Sequence, residues 1–192
     1  EVLAAERVPD GWAIASRFIY GRTLSDRVRR HPEERDSAIR TLAQVRTQIH
    51  ASKLNGLESL KSRVSRLIAR APLAEDAKAE LIARTSRMPD GASPCHGDLM
   101  LSNVIECADD GFAVVDWARA CRGRAAADDA VTLLLLEMEE SAEMANAYRS
   151  RLDSDPREIA QWTPLVAASR TMMANERERA FLIPKIFSPR NI

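Results

Sequence analysis

The chain is predicted to be an α+β protein, mainly α, on three observations. Only 5% of its 192 residues are aromatic, while Ala, Leu, Arg and Glu are abundant, and those four favour helix over sheet. Apolar residues recur at three- and four-residue intervals through most of the length beyond residue 32, the period of a helix with one buried face. Strand signals are few, and the convincing ones are residues 12–19 and a short hairpin between residues 104 and 116.

Residues 12–19 (WAIASRFI) are apolar with β-branched and aromatic members, bounded by Asp10-Gly11 and Gly21, which predicts a strand ending at Tyr20-Gly21 and the only one before residue 94. Thr23-Leu24-Ser25-Asp26 reads as a helix start, and Pro32 at a first helical position opens a helix over residues 32–51 carrying Ile39, Leu42, Val45 and Ile49. Leu57, Leu60, Val64, Leu67 and Ile68 continue the helical spacing until Pro72, and another helix covers residues 74–87 before Pro89-Asp90-Gly91. Val104-Ile105-Glu106 and Phe112 to Asp116 flank Asp109-Asp110-Gly111, which predicts a hairpin. Ala126 to Met138 contains the four consecutive leucines Leu133 to Leu136, a pattern that covers more than one face and so marks a buried helix. Helices near 141–151 and 157–176 follow, and Phe181 to Phe187 is an apolar tail broken by Pro184 that is expected to dock on the body or on a partner.

Lys plus Arg and Asp plus Glu balance at 28 each, so no global field favours nucleic acid or an anionic membrane. Partner choice therefore rests on a local site. Cys95, Cys107 and Cys121 are odd in number and match no paired metal-ligand spacing, which argues for reduced thiols, a cytoplasmic setting and no zinc. No run approaches the roughly 20 apolar residues of a membrane span. The chain starts at Glu1 and not at Met, so an upstream segment is expected.

The chemistry concentrates in His96-Gly97-Asp98-Leu99-Met100-Leu101-Ser102-Asn103 and, after the hairpin, Val114-Val115-Asp116-Trp117. Phosphoryl transfer needs positioning and electrostatics more than covalent chemistry: an Asp for the acceptor hydroxyl, an Asn five residues later for metal, and a second Asp at the end of a strand to bridge metal and phosphates. Asp98, Asn103 and Asp116 supply that set in that order. Asp116 closes the run from Phe112 to Val115.

On these motifs the chain resembles the aminoglycoside phosphotransferase and choline kinase family of protein-kinase-like small-molecule kinases. HGDLMLSN is similar to that family's catalytic loop, VVDW to its metal-binding segment, and Gly123 to Asp128 to the continuation into the next helix. Leu42 to His50 resembles the helix before the catalytic region, and Phe18 to Leu24 the interlobe hinge, so the likeness spans about residues 12–140. The resemblance implies a kinase-like C-terminal lobe in which Asp98 is the catalytic base, Asn103 and Asp116 hold Mg2+, His96 supports the loop, and the hinge backbone at Phe18 and Ile19 meets ATP or GTP. The acceptor would be a small-molecule hydroxyl, with aminoglycoside-like antibiotics, and hence resistance, among the classes implied. Residues 1–22 would be the end of the nucleotide lobe and the hinge, and residues 23–192 the helical catalytic lobe. Only Gly11 and Gly21 precede the first lysine, Lys53, so the glycine-rich loop and strand lysine of such kinases are expected outside these residues, in the same chain or another.

Several of these residues also have ordinary structural readings. Asp128 before the leucine-rich stretch can be a helix N-cap, while the resemblance has it brace the catalytic loop. His50 at a helix end reads as a packed or capping histidine, and Cys95, with no adjacent base to activate it, as a small structural residue. Glu137, Glu139, Glu140 and Glu143 read as a solvated face, or, with Glu137 and Glu140 foremost, as the lining of a pocket for a cationic acceptor. Two other functions compete: a kinase-like binding or regulatory module without turnover, and, more distantly, a metal-dependent hydrolase built on His96, Asp98 and Asp116.

Overall fold

The computed structural model describes residues 2–9, 11–108 and 111–187; Glu1, Asp10, Asp109, Asp110 and residues 188–192 lie outside the described residues, and with them the turns expected at Asp10-Gly11 and Asp109-Asp110-Gly111. The described chain is α+β and mainly helical, as the composition predicts, with three small antiparallel sheets. β1 (Val2–Val8) pairs with β2 (Gly11–Ser16), and both are exposed along their whole length. β1 goes beyond the single strand predicted before residue 94, and β2 stops short of Phe18. Val2 to Val8 carries Ala-Ala-Glu-Arg at its centre and no strict alternation, so only its pairing with β2 marks it as a strand.

β3 (Gly21–Thr23) joins this entry segment to the body by pairing with β5 (Val104–Cys107), which pairs in turn with β6 (Phe112–Val114) as the predicted hairpin. The third sheet sets β4 (Ser93–Cys95) against β7 (Cys121–Gly123), with Cys95 opposite Cys121. Eight helices complete the described fold. α1 (Leu24–Arg30) starts where the sequence places it, with the Thr23 side chain accepting the Asp26 N–H at 3.0 Å. Pro32 opens a 3-10 turn ahead of α2 (Arg35–Ala51) rather than the first turn of that helix. α3 (Leu60–Ala69), α4 (Glu75–Arg87), α5 (Ala125–Glu139) and α6 (Ala142–Arg149) fall close to their predicted spans.

The C-terminal part differs. The helix expected over 157–176 ends early, at Arg170, as α7 (Pro156–Arg170), and after a turn a further helix, α8 (Glu176–Ile186), starts at a capping box between Asn175 and Glu178 and takes in most of the predicted apolar tail. Pro184 does not break the apolar tail, because it sits in the last turn of α8, where one lost backbone bond costs the helix little further length.

α5 is the axis of the core. Every residue from Ala126 to Leu136 is buried, and α5 packs against α6 and α7, while α3 packs on α7 and α2 on α6. Burial all round is what the leucine run requires, and truncating any one of these leucines to alanine would cost about 2–5 kcal/mol. Trp162 of α7 and Tyr148 of α6 are fully enclosed beside it. The consequence for function is a rigid base, α5, from whose first turn the loop after β4 can be held.

Candidate active site

The loop from His96 to Asn103 leaves β4 and is fixed by its own polar groups. The His96 ring lies between two partners: Nε2 is 3.0 Å from the Val115 carbonyl, and Nδ1 is 3.3 Å from the Asp98 backbone N–H. A carbonyl can only accept and an amide N–H only donate, so the network assigns the neutral tautomer with the proton on Nε2. His96 is buried and stacks obliquely on Trp117 at 4.7 Å, so it braces Asp98 and the segment at Val115 together. Gly97 is in the left-handed region at φ 75°, and a Cβ there would stand 2.3 Å from the Arg119 carbonyl oxygen, so glycine is demanded twice over.

Asn103 donates its side-chain N–H to the Asp98 carbonyl at 2.9 Å. That bond fixes the carboxamide and leaves its oxygen available as a ligand. Its backbone carbonyl accepts the Val115 N–H at 3.0 Å, which ties the loop to the end of β6 just ahead of Asp116. Asp116 is exposed and is the one described non-glycine residue with positive φ, at 61°. A left-handed aspartate is held there by its surroundings at a cost, a condition that clusters at functional sites.

Asp128 is not the N-cap of α5; Arg124 occupies that position, and Asp128 lies one turn inside. Its buried carboxylate instead accepts three hydrogen bonds: from the backbone N–H of His96 at 3.0 Å and of Gly97 at 2.8 Å, and from His50 Nε2 at 2.9 Å. One side chain of the central helix thus holds both the start of the loop that carries Asp98 and the end of α2.

The carboxylate of Asp98 faces two arginines. Arg170 Nη2 is 2.9 Å from Oδ1 and Arg119 Nε is 3.7 Å from Oδ2. Burial holds the Arg170 guanidinium below its usual range, with Asp98 pulling the other way and Arg119 adding to the depression. Glu139 and Glu178 line the pocket beside Asp98 together with Met100 and Met138. Glu137 and Glu140, expected in that role, are elsewhere. Glu137 pairs with Lys185 of α8, and Glu140 lines a separate groove with Ser25 and Arg35, where burial raises its carboxyl above the usual value. Phe18 is exposed and lies edge-to-face with Tyr20 at 4.9 Å, with Ile19 partly covered between them.

A second polar cluster, not anticipated from the sequence, lies behind the loop. Arg46 of α2 makes a bidentate pair with Asp129 at 2.7 and 2.5 Å, and reaches Asp153 at 2.5 Å and Ser154 at 2.8 Å. Burial works against the Arg46 guanidinium, but the hydrogen bonds it donates to Asp129 and Asp153 outweigh it and raise its pKa above the usual range. The signal was present as an Asp-Asp pair at 128–129 in an apolar helix and a lone Arg on the apolar face of α2.

The described fold is a kinase-like, mainly helical α+β fold. Residues 11–162 match the phosphotransferase enzyme family, and the chain belongs to that family of small-molecule kinases. No curated protein matches it by sequence. Among solved structures it is similar to a thermostable mutant of the aminoglycoside phosphotransferase APH(4)-Ia in its apo form, at 17% identity and TM-score 0.66, over 95% of this chain and 76% of that one. It is also similar to the choline kinase LicA from Streptococcus pneumoniae, at 15% identity and TM-score 0.61, over 95% and 71%. A Plasmodium vivax ethanolamine kinase matches at 14% identity and TM-score 0.57, over 95% and 65%. The APH(4)-Ia mutant is also known in a ternary complex with ADP and hygromycin B, and LicA in complex with AMP. Among the described residues no helix is long and apolar enough to cross a membrane.

Proposed function

We propose that the protein transfers the γ-phosphoryl group of ATP or GTP to a hydroxyl of a small molecule, with Asp98 as the base. The observation that carries this reading is the hydrogen bond from the Asn103 carboxamide to the Asp98 carbonyl, which locks base and metal ligand into one unit. Asn103 offers a carboxamide oxygen and Asp116 a carboxylate, hard oxygen donors of the kind Mg2+ takes. Bound there, the ion neutralises charge on the nucleotide phosphates. Asp98 receives the hydroxyl, orients it and accepts its proton, while His96 and Asn103 keep the Asp98 backbone from turning away.

Residues 1–22 are read as the end of a nucleotide lobe and its hinge, and residues 23–192 as the catalytic lobe. The exposed apolar side chains of Trp12, Ile14, Phe18 and Tyr20 support that reading, since a nucleotide and a covering lobe would bury them. An aminoglycoside-like acceptor would meet Glu139 and Glu178 beside the base; it would also meet two guanidinium groups. A kinase-like module without turnover is the competing reading, and the metal separates the two. In the full protein, Asn103→Ala and Asp116→Ala should each raise the Mg2+ concentration for half-maximal phosphoryl transfer by about tenfold or more, since even the supporting partners of metal ligands are worth that much. An unchanged Mg2+ requirement in both variants would contradict the assignment.

A further inference from the structure

Next to Asp98 a cavity of about 300 Å³ opens between α3, α7 and the segment from Gly97 to Cys121. Its walls are apolar, with Leu60, Val64, Val131 and Val166 prominent. Its charged lining is dominated by four arginines: Arg63, Arg66, Arg119 and Arg170. They occur as two pairs, each sharing one carboxylate. Arg63 and Arg66 both pair with Glu58, at 3.2 and 2.9 Å, and Arg119 and Arg170 both face Asp98. Asp128 also lines the cavity, but its oxygens are taken by two backbone N–H groups and His50. Glu139 and Glu178 stand on the far side of Arg119 and Arg170, in the adjoining pocket, so within this cavity the arginines are the charged groups that face the apolar wall.

Guanidinium groups in a partly desolvated apolar cavity need a reason, and Arg170 has only 15% of its side chain exposed to water. Arg119 and Arg170, with Met173, line both this cavity and the pocket holding Glu139 and Glu178, so they stand between the base and the apolar chamber. Arginine is the side chain suited to planar bidentate capture of a carboxylate or phosphate.

We propose that the acceptor is an amphipathic anion: a hydroxyl compound with a carboxylate or phosphate held by Arg119 and Arg170 and an apolar body seated among Leu60, Val64, Val131 and Val166. This rests on the kinase reading of Asp98, and it makes the two arginines the determinants of acceptor choice. A polycation lacking any anionic group would place its charges against them. The hydroxyl of an anion held at this wall is delivered to Asp98 by the same groups that bind it, so affinity and positioning are coupled.

The test uses the full protein and four matched probes with one ring and one hydroxymethyl group: 4-(hydroxymethyl)benzoate, 4-(hydroxymethyl)phenyl phosphate, 4-(hydroxymethyl)benzylamine and 4-methylbenzyl alcohol. Binding is measured by calorimetry and turnover by ADP release with Mg-ATP. One of the two anionic probes should bind about tenfold tighter than the neutral and cationic ones, and which of them wins identifies the group. In Arg119→Met that advantage should collapse while affinity for the neutral probe stays, and Arg170→Lys, which keeps the buried charge, should lose part of it. Equal or tighter binding of the benzylamine, or an equal loss for all four probes in Arg119→Met, would overturn the proposal. Charge-selective binding without turnover of any probe would leave the anion subsite standing and count against the kinase reading. Asp98-dependent turnover of the amine alone would do the reverse.

Discussion

The carboxylate of Asp128 accepts the backbone N–H of His96 at 3.0 Å across 32 residues of chain, and in doing so fixes where the loop that carries Asp98 begins. The same carboxylate takes Gly97 N–H and His50, so that loop and α2 both depend on it.

Replacing Asp128 by Asn removes one of its two acceptor oxygens and leaves a buried N–H without a partner. We expect a stability loss of about 1–3 kcal/mol in denaturant unfolding, and a fall in kcat with little change in the nucleotide KM, because the loop that carries Asp98 loosens while the hinge does not. A kcat like that of the wild type would show that the loop holds its shape without this brace.

Arg46 and Asp129 are a buried pair, with side chains 5% and 0% exposed. Arg46→Ala should lower stability by about 3–5 kcal/mol, since it strands a carboxylate in the core, whereas Arg46→Met combined with Asp129→Leu should recover most of the loss. Urea midpoints of the two variants measure the difference. The contact with Asp153 contributes little, because that side chain is 82% exposed.

Acid stability carries a sign that can be checked at Glu158. Its hydrogen bonds to Arg124, at 2.7 and 2.6 Å, hold its carboxyl below the usual glutamate value of 4.5. A folded pKa below the unfolded one contributes stability that is complete above 4.5 and disappears as pH falls through the folded value. Glu158→Gln should therefore be less stable than wild type at pH 7, with the two converging once the pH is below that value; unfolding curves at several pH values test it. Parallel curves at all pH values would contradict the assignment.

How far the sequence revealed this arrangement depends on distance along the chain. His96, Asp98 and Asn103 share one short loop, and Asp116 ends the adjoining hairpin, so spacing alone exposed them as a group. α2, α3, α4 and α5 were legible because each carries a long apolar period. The hold of Asp128 on that loop is implied only by the family resemblance, and the pairing of Asp129 is not legible at all: one serves backbone groups near residue 96 and the other an arginine on α2, and both partners are set by helix packing that local pattern does not encode. The acidic lining illustrates the same limit. The sequence points to Glu137 and Glu140 ahead of Glu139, yet one position along a helix turns a side chain by about 100°, and only the docking of α8 shows that Glu139 and Glu178 line one pocket while Glu137 faces Lys185. β1 escaped notice because its residues carry no period of their own.

In the proposed reaction Asp98 handles the acceptor hydroxyl in a nucleotide-dependent transfer. The most direct test of this role is single-turnover transfer of the γ-phosphoryl group of Mg-ATP to acceptor in wild type and Asp98→Asn, with folding of both checked by circular dichroism. The account predicts a rate about 10²–10⁴-fold lower in the variant with nucleotide affinity retained. An undiminished rate in folded Asp98→Asn would contradict it.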